Sequence, residues 1–229
     1  MSAEIIMKTN HVKRFFPVLG GEDFYALKDI TIQVPAGTMT ILKGRSGSGK
    51  TTLMNILGAL DKPSDGEVFF GDKNIVSMNE KQRDLLRRLS IGFIFQSVSL
   101  IPMMTAYENV EYAMRLAGYK GNWKMRAEEC LHLVGLTQRM HHMPQELSGG
   151  EQQRVAIARA IAHKPKVIFA DEPTAELDTN TRFQVMKIFK DLIATEGLTI
   201  VMTTHDVSLM AAGDVVYELE DGEIINGNE

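Results

Sequence analysis

The spacing of apolar residues along the first third of the chain predicts strands and one helix. The apolar run Ile5-Ile6-Met7 is typical of a short strand, and residues 27–34 alternate apolar with polar side chains as a half-buried strand does. Residues 39–42 indicate a buried strand that leads into a glycine-rich loop. Beyond the loop, apolar positions at helical spacing predict a helix over residues 50–60. We therefore expect strand, glycine loop and helix in that order.

The middle of the chain, from about residue 79 to residue 147, has the pattern of helices. Charged amphipathic stretches cover residues 81–89 and 124–136. In the last third, strands and a helix alternate again. The predicted strands are residues 167–170, 199–203 and 215–219, and the predicted helix is residues 181–194.

This order of elements predicts the organisation of the chain. Asp221-Gly222, between two apolar runs, is typical of a hairpin turn. Strands that alternate with helices favour a mostly parallel α/β sheet, with the helical middle as an inserted subdomain. We expect one domain over residues 1–229, in which residues 1–95 and 160–229 form the core and a β subdomain, while residues 96–159 form the helical subdomain.

Composition and charge narrow the class of protein. The chain has 229 residues, 44% hydrophobic and 24% charged, which suits one large globular domain. Its net charge of −4 and the lack of a dense Lys/Arg block argue against broad nucleic-acid binding. No apolar run approaches the ~18 to 20 residues of a membrane span, and the N-terminus has no signal-peptide pattern. A cytoplasmic location is expected, and the single Cys130 should be a buried thiol.

The glycine-rich loop matches G-x-x-x-x-G-K-[ST], the pattern of a nucleotide phosphate loop. Glycines let several backbone N–H groups face one phosphate, and the helix that follows adds its positive end. Lys50 would neutralise the β- and γ-phosphates, and the Thr51 hydroxyl would ligate Mg²⁺. The predicted phosphate-binding residues are Gly44, Arg45, Ser46, Gly47, Ser48, Gly49, Lys50, Thr51 and Thr52.

A second candidate lies at the end of the predicted strand over residues 167–170, where two carboxylates follow. Asp171 would face the Mg²⁺ ion, through water, if this strand lies parallel to the strand before the phosphate loop. Glu172, one residue on, could polarise the attacking water as a general base.

A third feature is a second helix start that can bind an anion. Ser148 suits an N-cap, and Gly149 and Gly150 leave the helix end bare. One nucleotide needs only one phosphate cradle in a chain. The second cradle therefore suggests a site shared between two chains.

These motifs, in this order, resemble those of ABC ATPases, whose signature LSGGQ is similar to Leu147 to Gln153 here, with Glu151 in place of glutamine. The resemblance implies a P-loop NTPase core, an N-terminal antiparallel β subdomain and an inserted helical subdomain. It also implies ATP and Mg²⁺, and a head-to-tail homodimer in which Ser148, Gly149, Gly150 and Glu151 contact the ATP held by the partner.

The resemblance assigns further residues. Gln96 is similar to the glutamine that meets Mg²⁺ and the lytic water, and His205 to the histidine that contacts the γ-phosphate. Residues 175–178 resemble the loop that crosses to the other subunit, with Asp178 near the nucleotide and Glu176 where the family often has Gly or Asn. The implied catalytic residues are Lys50, Gln96, Glu172 and His205, and the implied metal ligands are Thr51, Gln96 and Asp171.

Adenine needs a flat apolar surface, which ABC domains supply as an aromatic residue near the end of the first strand. Phe15 is the best match in the sequence, with Phe16 and Tyr25 as alternates. The chain is most similar to the group that includes MacB-type exporters, lipoprotein-releasing ATPases and antimicrobial-peptide pumps. The supporting runs are residues 53–63, 91–96, 100–102, 105–110 and 171–178.

The resemblance also implies partners. The permease should be another chain, which holds this one at the inner face of the cell membrane, and a periplasmic-adaptor-like or extracellular accessory protein can join such systems. Residues 96–107 hold an apolar cluster that would either receive a permease helix or belong to the core: Leu100, Ile101, Pro102, Met103 and Met104. The alternative is a cell-division type ABC ATPase. Chromosome and ribosome types fit less well, because the chain has no long coiled coil and a single set of motifs.

Overall fold

The computed structural model describes residues 4–228 as two β-sheets with helices around them. The strands are β1 (Ile5–Phe16), β2 (Phe24–Ile30), β3 (Gln33–Pro35), β4 (Met39–Lys43), β5 (Asp65–Phe70), β6 (Lys73–Asn74), β7 (Ile91–Ile94), β8 (Val167–Asp171), β9 (Thr199–Thr204), β10 (Val215–Glu220) and β11 (Glu223–Asn228). The helices are α1 (Lys50–Leu57), α2 (Glu80–Ser90), α3 (Ala106–Ala117), α4 (Trp123–Leu133), α5 (Gly149–Ile161) and α6 (Thr179–Glu196). Within residues 4–228, no helix is long and apolar enough to cross a membrane.

The larger sheet has the strand order β11-β10-β4-β9-β8-β7, and all of its neighbouring pairs are parallel except β10 and β11. Strand β9 is buried along its whole length, as expected where helices cover both faces of a parallel sheet. Alternate side chains of β8 pack into two hydrophobic cores on opposite faces of the sheet. Ile168 packs with the helical layer of α3 to α6, whereas Phe169 packs with α1 and the smaller sheet. Because β4, β8 and β9 are parallel, their carboxyl ends meet at one edge.

The smaller sheet is antiparallel and confirms the expected β subdomain. Strand β1 pairs with β2, β3 and β5, and it is much longer than the predicted run at residues 5–7. The single strand predicted over residues 27–34 is two strands, β2 and β3. The buried Thr9 hydroxyl donates to the Ile30 carbonyl (2.9 Å) and accepts from the Ile32 amide (3.0 Å) at the break between them. The side chain thus takes the place of ladder bonds where the chain passes from β2 to β3.

The helical middle forms as predicted, with one boundary moved. Helix α4 ends at Leu133 and does not continue to residue 136, because Gly135 adopts a left-handed conformation (φ 71°) that closes the last turn. Cys130 of α4 is fully buried, and this burial raises the pKa of its thiol to about 12. The turn at residues 221–222 also forms, with positive φ at both residues as a type I′ hairpin requires.

Arg126 ties the helical layer to the end of α5. Its side chain is 2% exposed and donates to the carbonyls of Ile161 (3.1 Å) and Ala162 (3.3 Å). It also pairs with Glu129 (2.9 Å) and Glu196 (3.3 Å). The guanidinium thereby satisfies orphan carbonyls at the C-terminus of α5.

Replacing Arg126 with alanine should therefore lower the free energy of unfolding by about 2–4 kcal/mol, because the carbonyls and carboxylates lose their buried partner. Urea denaturation measures this difference. Lys187→Ala is the control, since the Lys187–Asp191 pair is well exposed and its loss should cost less than about 1 kcal/mol. Equal stability of Arg126→Ala and the parent would contradict this role.

Candidate active site

The glycine-rich loop connects β4 to α1 at the carboxyl edge of the larger sheet. Gly49 immediately precedes α1 with φ 102°, and a Cβ at this position would lie 2.6 Å from the carbonyl oxygen of Ala26 in β2. Only glycine combines that backbone angle with so close an approach. The loop is thus held against β2, with the N-terminus of α1 beneath it.

The buried side chains of Lys50 and Ser48 make the loop suitable for binding an anion. Lys50 is 5% exposed, and its ammonium donates to the carbonyl oxygens of Gly44 and Arg45, both at 2.8 Å. The Ser48 hydroxyl is buried and has no hydrogen-bond partner among the described residues. A buried orphan hydroxyl beside a lysine and a helix N-terminus fits a phosphate group, which supplies acceptors for each of them.

Asp171 lies where β8 ends, as predicted, and it meets the loop through Thr51. The Thr51 hydroxyl donates to the carboxylate at 3.1 Å, and the Thr203 hydroxyl of the adjacent strand β9 donates to it at 2.5 Å. Mg²⁺ prefers oxygen ligands and commonly takes one or two from protein, the rest from phosphate and water. The Thr51–Asp171 pair fits such an ion.

Glu172 has a strained backbone and a histidine partner. Its φ is +43°, a rare value for a non-glycine residue, and its amide donates to the Thr203 hydroxyl at 2.9 Å. Its carboxylate lies 3.0 Å from His205 Nδ1. The Glu172 side chain is 20% exposed and that of His205 62% exposed. A carboxylate oriented in this way can accept a proton from a water molecule.

A cleft of about 340 Å³ joins these groups. Its lining brings residues of the loop and of α1 together with Gln96 and Glu172, whereas Asp171 and His205 do not line it. Three apolar residues complete it. The whole lining is Phe16, Phe24, Ala26, Ser46, Gly47, Gly49, Lys50, Thr51, Thr52, Gln96 and Glu172.

The aromatic residues that line this cleft are Phe16 and Phe24, whereas Phe15, the best match from the sequence for a stacking ring, does not line it. Side chains alternate along a strand, so neighbours in β1 face opposite ways. Phe15 pairs with Tyr25 of β2, with ring centroids 5.4 Å apart, on the side away from the cleft lining. Phe16 pairs with Phe24, and both line the cleft. Phe16, an alternate from the sequence, is therefore the aromatic residue of β1 that shares the cleft with Lys50.

The second anion site forms at the start of α5. Ser148 is its N-cap: its hydroxyl accepts from the Glu151 amide (3.3 Å), and its own amide donates to the Glu151 carboxylate (2.9 Å). This backbone hydrogen bond, more than the nearby Arg139, lowers the pKa of Glu151. Glu151 in the glutamine position thus serves as the second half of a capping box.

This helix start does not reach the cleft in its own chain. Ser148, Gly149, Gly150 and Glu151 are outside the cleft lining, and Ser148 and Gly149 are exposed. A Cβ on Gly150 would lie 2.5 Å from Thr181 of α6, so α5 and α6 are in close contact here.

Buried contacts fix this arrangement. The Gln153 amide donates to the Pro173 carbonyl (2.8 Å), just beyond Glu172. Asp178 caps α6 through the amides of Asn180 and Thr181, and the Thr181 hydroxyl is the main cause of its lowered pKa. Asp178 does not line the cleft. Thr181 contacts Gly150 and hydrogen-bonds to Asp178, so the second anion site and Asp178 lie close together, with Ser148, Gly149 and Asp178 exposed at the surface.

Sequence reasoning missed two residues of the site. Thr203 holds both Asp171 and the Glu172 amide, and the signal was a polar pair, Thr203-Thr204, at the end of an otherwise apolar strand. Phe24 was missed because its place in the cleft depends on the register of β1 with β2, which the sequence does not specify.

Strand β4 leads through the phosphate loop into the N-terminus of α1, and strand β8 of the same sheet ends in two acidic residues. This combination defines a nucleotide-hydrolysing P-loop protein. The sequence profile of the ABC transporter family matches residues 27–175. This chain belongs to that family, and it is an ATPase whose hydrolysis of ATP is coupled to transport.

Sequence relatives match this chain over nearly its full length. The chain is 46% identical over 201 residues to an uncharacterised ABC transporter ATP-binding protein of Methanocaldococcus jannaschii, covering 87% of this chain and 89% of the relative. It is 43% identical over 223 residues to the lipoprotein-releasing system ATP-binding protein LolD of Syntrophotalea carbinolica, covering 97% of each. It is 43% identical to the macrolide export ATP-binding/permease protein MacB of Bartonella henselae, covering 99% of this chain but 34% of MacB.

The fold is also that of solved ABC cassettes. A dimeric post-hydrolysis structure of the cassette MJ0796 bound to ADP and Pi matches with a TM-score of 0.88 and 39% identity, covering 97% of this chain and 98% of that one. The predicted α/β architecture is thus confirmed, and the family shares an ATP-binding site.

Proposed function

We propose that this chain is the ATPase subunit of a MacB- or LolD-like export system. Two copies of the chain close head-to-tail around two ATP molecules. The observation that carries the proposal is the position of Ser148, Gly149 and Gly150 outside the cleft of their own chain, with Ser148 and Gly149 exposed. A bare helix N-terminus attracts phosphate, and the second copy provides the phosphate. Asp178, on the same outward surface, then contributes beside the shared nucleotide.

Each residue in or around the cleft has a physical role. Lys50 neutralises phosphate charge, and the hydroxyl of Ser48 finds an acceptor there. Thr51 and Asp171 would hold Mg²⁺, with Gln96 as a further oxygen donor; the ion supplies positive charge against the phosphate oxygens. Glu172 accepts the proton of the attacking water at its carboxylate. His205 orients that carboxylate through Nδ1 and contacts the γ-phosphate. Positioning and charge account for most of the catalysis.

The permease contact is placed at the loop that follows Gln96. Met103 is 82% exposed and so available to a permease helix, whereas Leu100 packs against the core. The buried Asn109 fixes the loop, because its amide donates to the carbonyls of Ile101 (3.2 Å) and Met104 (3.0 Å) and its oxygen accepts from the Ile101 amide (2.8 Å).

A loop that follows Gln96 in the chain and is held by Asn109 is suited to transmit the position of a permease helix to the nucleotide site. Through the permease the chain works as a peripheral protein at the cytoplasmic face of the membrane. Isolation of the membrane protein that co-purifies with this chain tests the assignment: a MacB- or LolD-type permease supports it, and a cell-division membrane protein contradicts the export role.

Metal dependence tests the cleft directly. The purified chain should hydrolyse ATP in the presence of Mg²⁺, and this hydrolysis should stop when EDTA removes the ion. Thr51→Ala should raise the Mg²⁺ concentration for the half-maximal rate at least roughly tenfold, because one oxygen ligand is lost. Thr195→Ala, an exposed hydroxyl on α6 far from this loop in sequence, is the control and should match the parent. Hydrolysis that persists in EDTA would contradict the metal role of Thr51 and Asp171.

A further inference from the structure

Arg182 of α6 joins two loops of the candidate active site that are distant in sequence. Its Nε donates to the carbonyl oxygen of Leu177, at 2.9 Å, in the loop over residues 175–178. Its Nη1 donates to Oδ2 of Asp206, at 3.0 Å, and Asp206 is the residue after His205. Arg182 therefore holds the turn that follows β9 against the loop that leads into α6.

The end of this contact at α6 is firmly built. Asp178 caps the helix through the amides of Asn180 and Thr181, and the Leu177 side chain is buried. The Arg182 amide itself donates to the Asp178 carbonyl at 2.9 Å. Because its backbone belongs to this capped helix start, the Arg182 side chain reaches the other loop from a fixed position.

Asp206 is the point at which the turn that carries His205 is held. Its Oδ1 accepts from the amide and the hydroxyl of Ser208, at 2.9 and 2.7 Å, and so begins the short 3₁₀ helix Val207–Ala212. The Ser208 hydroxyl is the main cause of the lowered pKa of Asp206, and the guanidinium contributes less. The carboxylate is thus charged at neutral pH, with Oδ2 directed to the guanidinium.

The two loops face one cavity of about 390 Å³. Glu172 lines both this cavity and the nucleotide cleft, so the two spaces meet at the proposed general base. Both members of the Arg182–Asp206 pair are half-buried, where solvent and salt screen the attraction less than at an open surface. The whole lining of the cavity is Glu172, Thr174, Ala175, Arg182, Thr204, His205, Asp206 and Val207.

We propose that Arg182 is a positioning residue for His205. It fixes Asp206, the neighbour of that histidine, against the start of α6, and so keeps the imidazole beside the Glu172 carboxylate. The proposal rests on the proposed function, in which His205 orients Glu172 and contacts the γ-phosphate. The His205 side chain is 62% exposed, so packing alone does not hold it. A displacement of about 1 Å in a reacting group can cost up to roughly a hundredfold in rate.

Steady-state ATP hydrolysis by variants of this pair tests the role. Arg182→Ala should lower kcat about fivefold to twentyfold and leave KM within about twofold, because the phosphate loop is untouched. Arg182→Lys should retain more activity, since an ammonium can still pair with Asp206 but cannot donate to both loops as a guanidinium does. Lys187→Ala, which removes an exposed pair with Asp191 on the same helix, is the control and should match the parent. A parent kcat in Arg182→Ala would overturn the proposal.

A double-mutant cycle with His205 separates positioning from a general loss of structure. In the His205→Ala background, Arg182→Ala should change kcat by less than about twofold, because the group through which it acts is already absent. The same cycle with Asp206→Asn is a second test that leaves α6 intact, and asparagine keeps an oxygen for Ser208. Thermal unfolding of each variant measures stability separately. Additive losses of kcat in the double variants would overturn the positioning role.

Failure of the proposed function gives a different result. A parent that hydrolyses no ATP, or His205→Ala that hydrolyses it at the parent rate, overturns the proposed role of His205 and this proposal with it. A slow His205→Ala together with Arg182→Ala at the parent rate overturns the role of Arg182 alone.

Discussion

Replacing Glu172 with glutamine should slow ATP hydrolysis by roughly 10²- to 10⁴-fold, the range expected when a general base is removed. Glutamine has nearly the same shape and keeps a hydrogen-bonding oxygen near His205, which lies 3.0 Å from the parent carboxylate. It cannot accept the proton of the attacking water. ATP binding should therefore be retained while turnover is lost, and steady-state ATPase assays with equilibrium binding measure the two separately.

The same variant should accumulate as an ATP-bound dimer, because in the proposed cycle the interface opens only after hydrolysis. Asp191→Asn is the control: it neutralises an exposed carboxylate on α6 that pairs with Lys187 at the surface, and it should hydrolyse ATP at the parent rate. If Glu172→Gln turned over ATP as fast as the parent and formed no ATP-dependent dimer, Glu172 would not be the base.

Replacing Gly149 with aspartate should abolish most of the ATPase activity, by roughly a hundredfold or more, without harming the fold. A Cβ at Gly149 meets no atom within 4 Å, and the residue is exposed at the first position of α5. A carboxylate there favours the helix by a few tenths of a kcal/mol. It also occupies the anion site with negative charge, which repels the phosphate of a nucleotide held by the second copy.

Gly149→Asn is the matched control, since it adds the same shape without the charge. It should lose less activity than Gly149→Asp, and both should unfold at or slightly above the parent temperature. Gly150 is the poorer choice, because a Cβ there collides with Thr181 and would disturb the contact between α5 and α6. An aspartate variant with parent activity would contradict a role for this helix end in binding phosphate.

The sequence predicted most of the fold because its apolar periods match the elements that form. The buried strands β4, β8 and β9 and the helix after the phosphate loop follow from local pattern. The division of residues 27–34 into β2 and β3 depends on a buried side chain of β1, Thr9, which is distant in sequence. The local pattern of apolar residues cannot predict that contact.

The candidate site also has residues that local motifs predict and residues that depend on distant contacts. Lys50, Asp171 and Glu172 lie in contiguous motifs whose spacing fixes their chemistry, and the structure brings Lys50 and Glu172 to one cleft, with Asp171 bonded to Thr51 of that cleft. The choice between Phe15 and Phe16 depends on which face of β1 turns toward the loop. One step along a strand reverses that face, so the register with β2 decides it.

The central claim is that the ATP site is completed by a second copy of the chain, and molecular mass measured by light scattering tests it most directly. Glu172→Gln should be a dimer when ATP is present and a monomer without it. Glu172→Gln combined with Gly149→Asp should still bind ATP with the affinity of the single chain, yet stay monomeric. A double variant that dimerises with ATP as readily as Glu172→Gln alone would contradict the shared site.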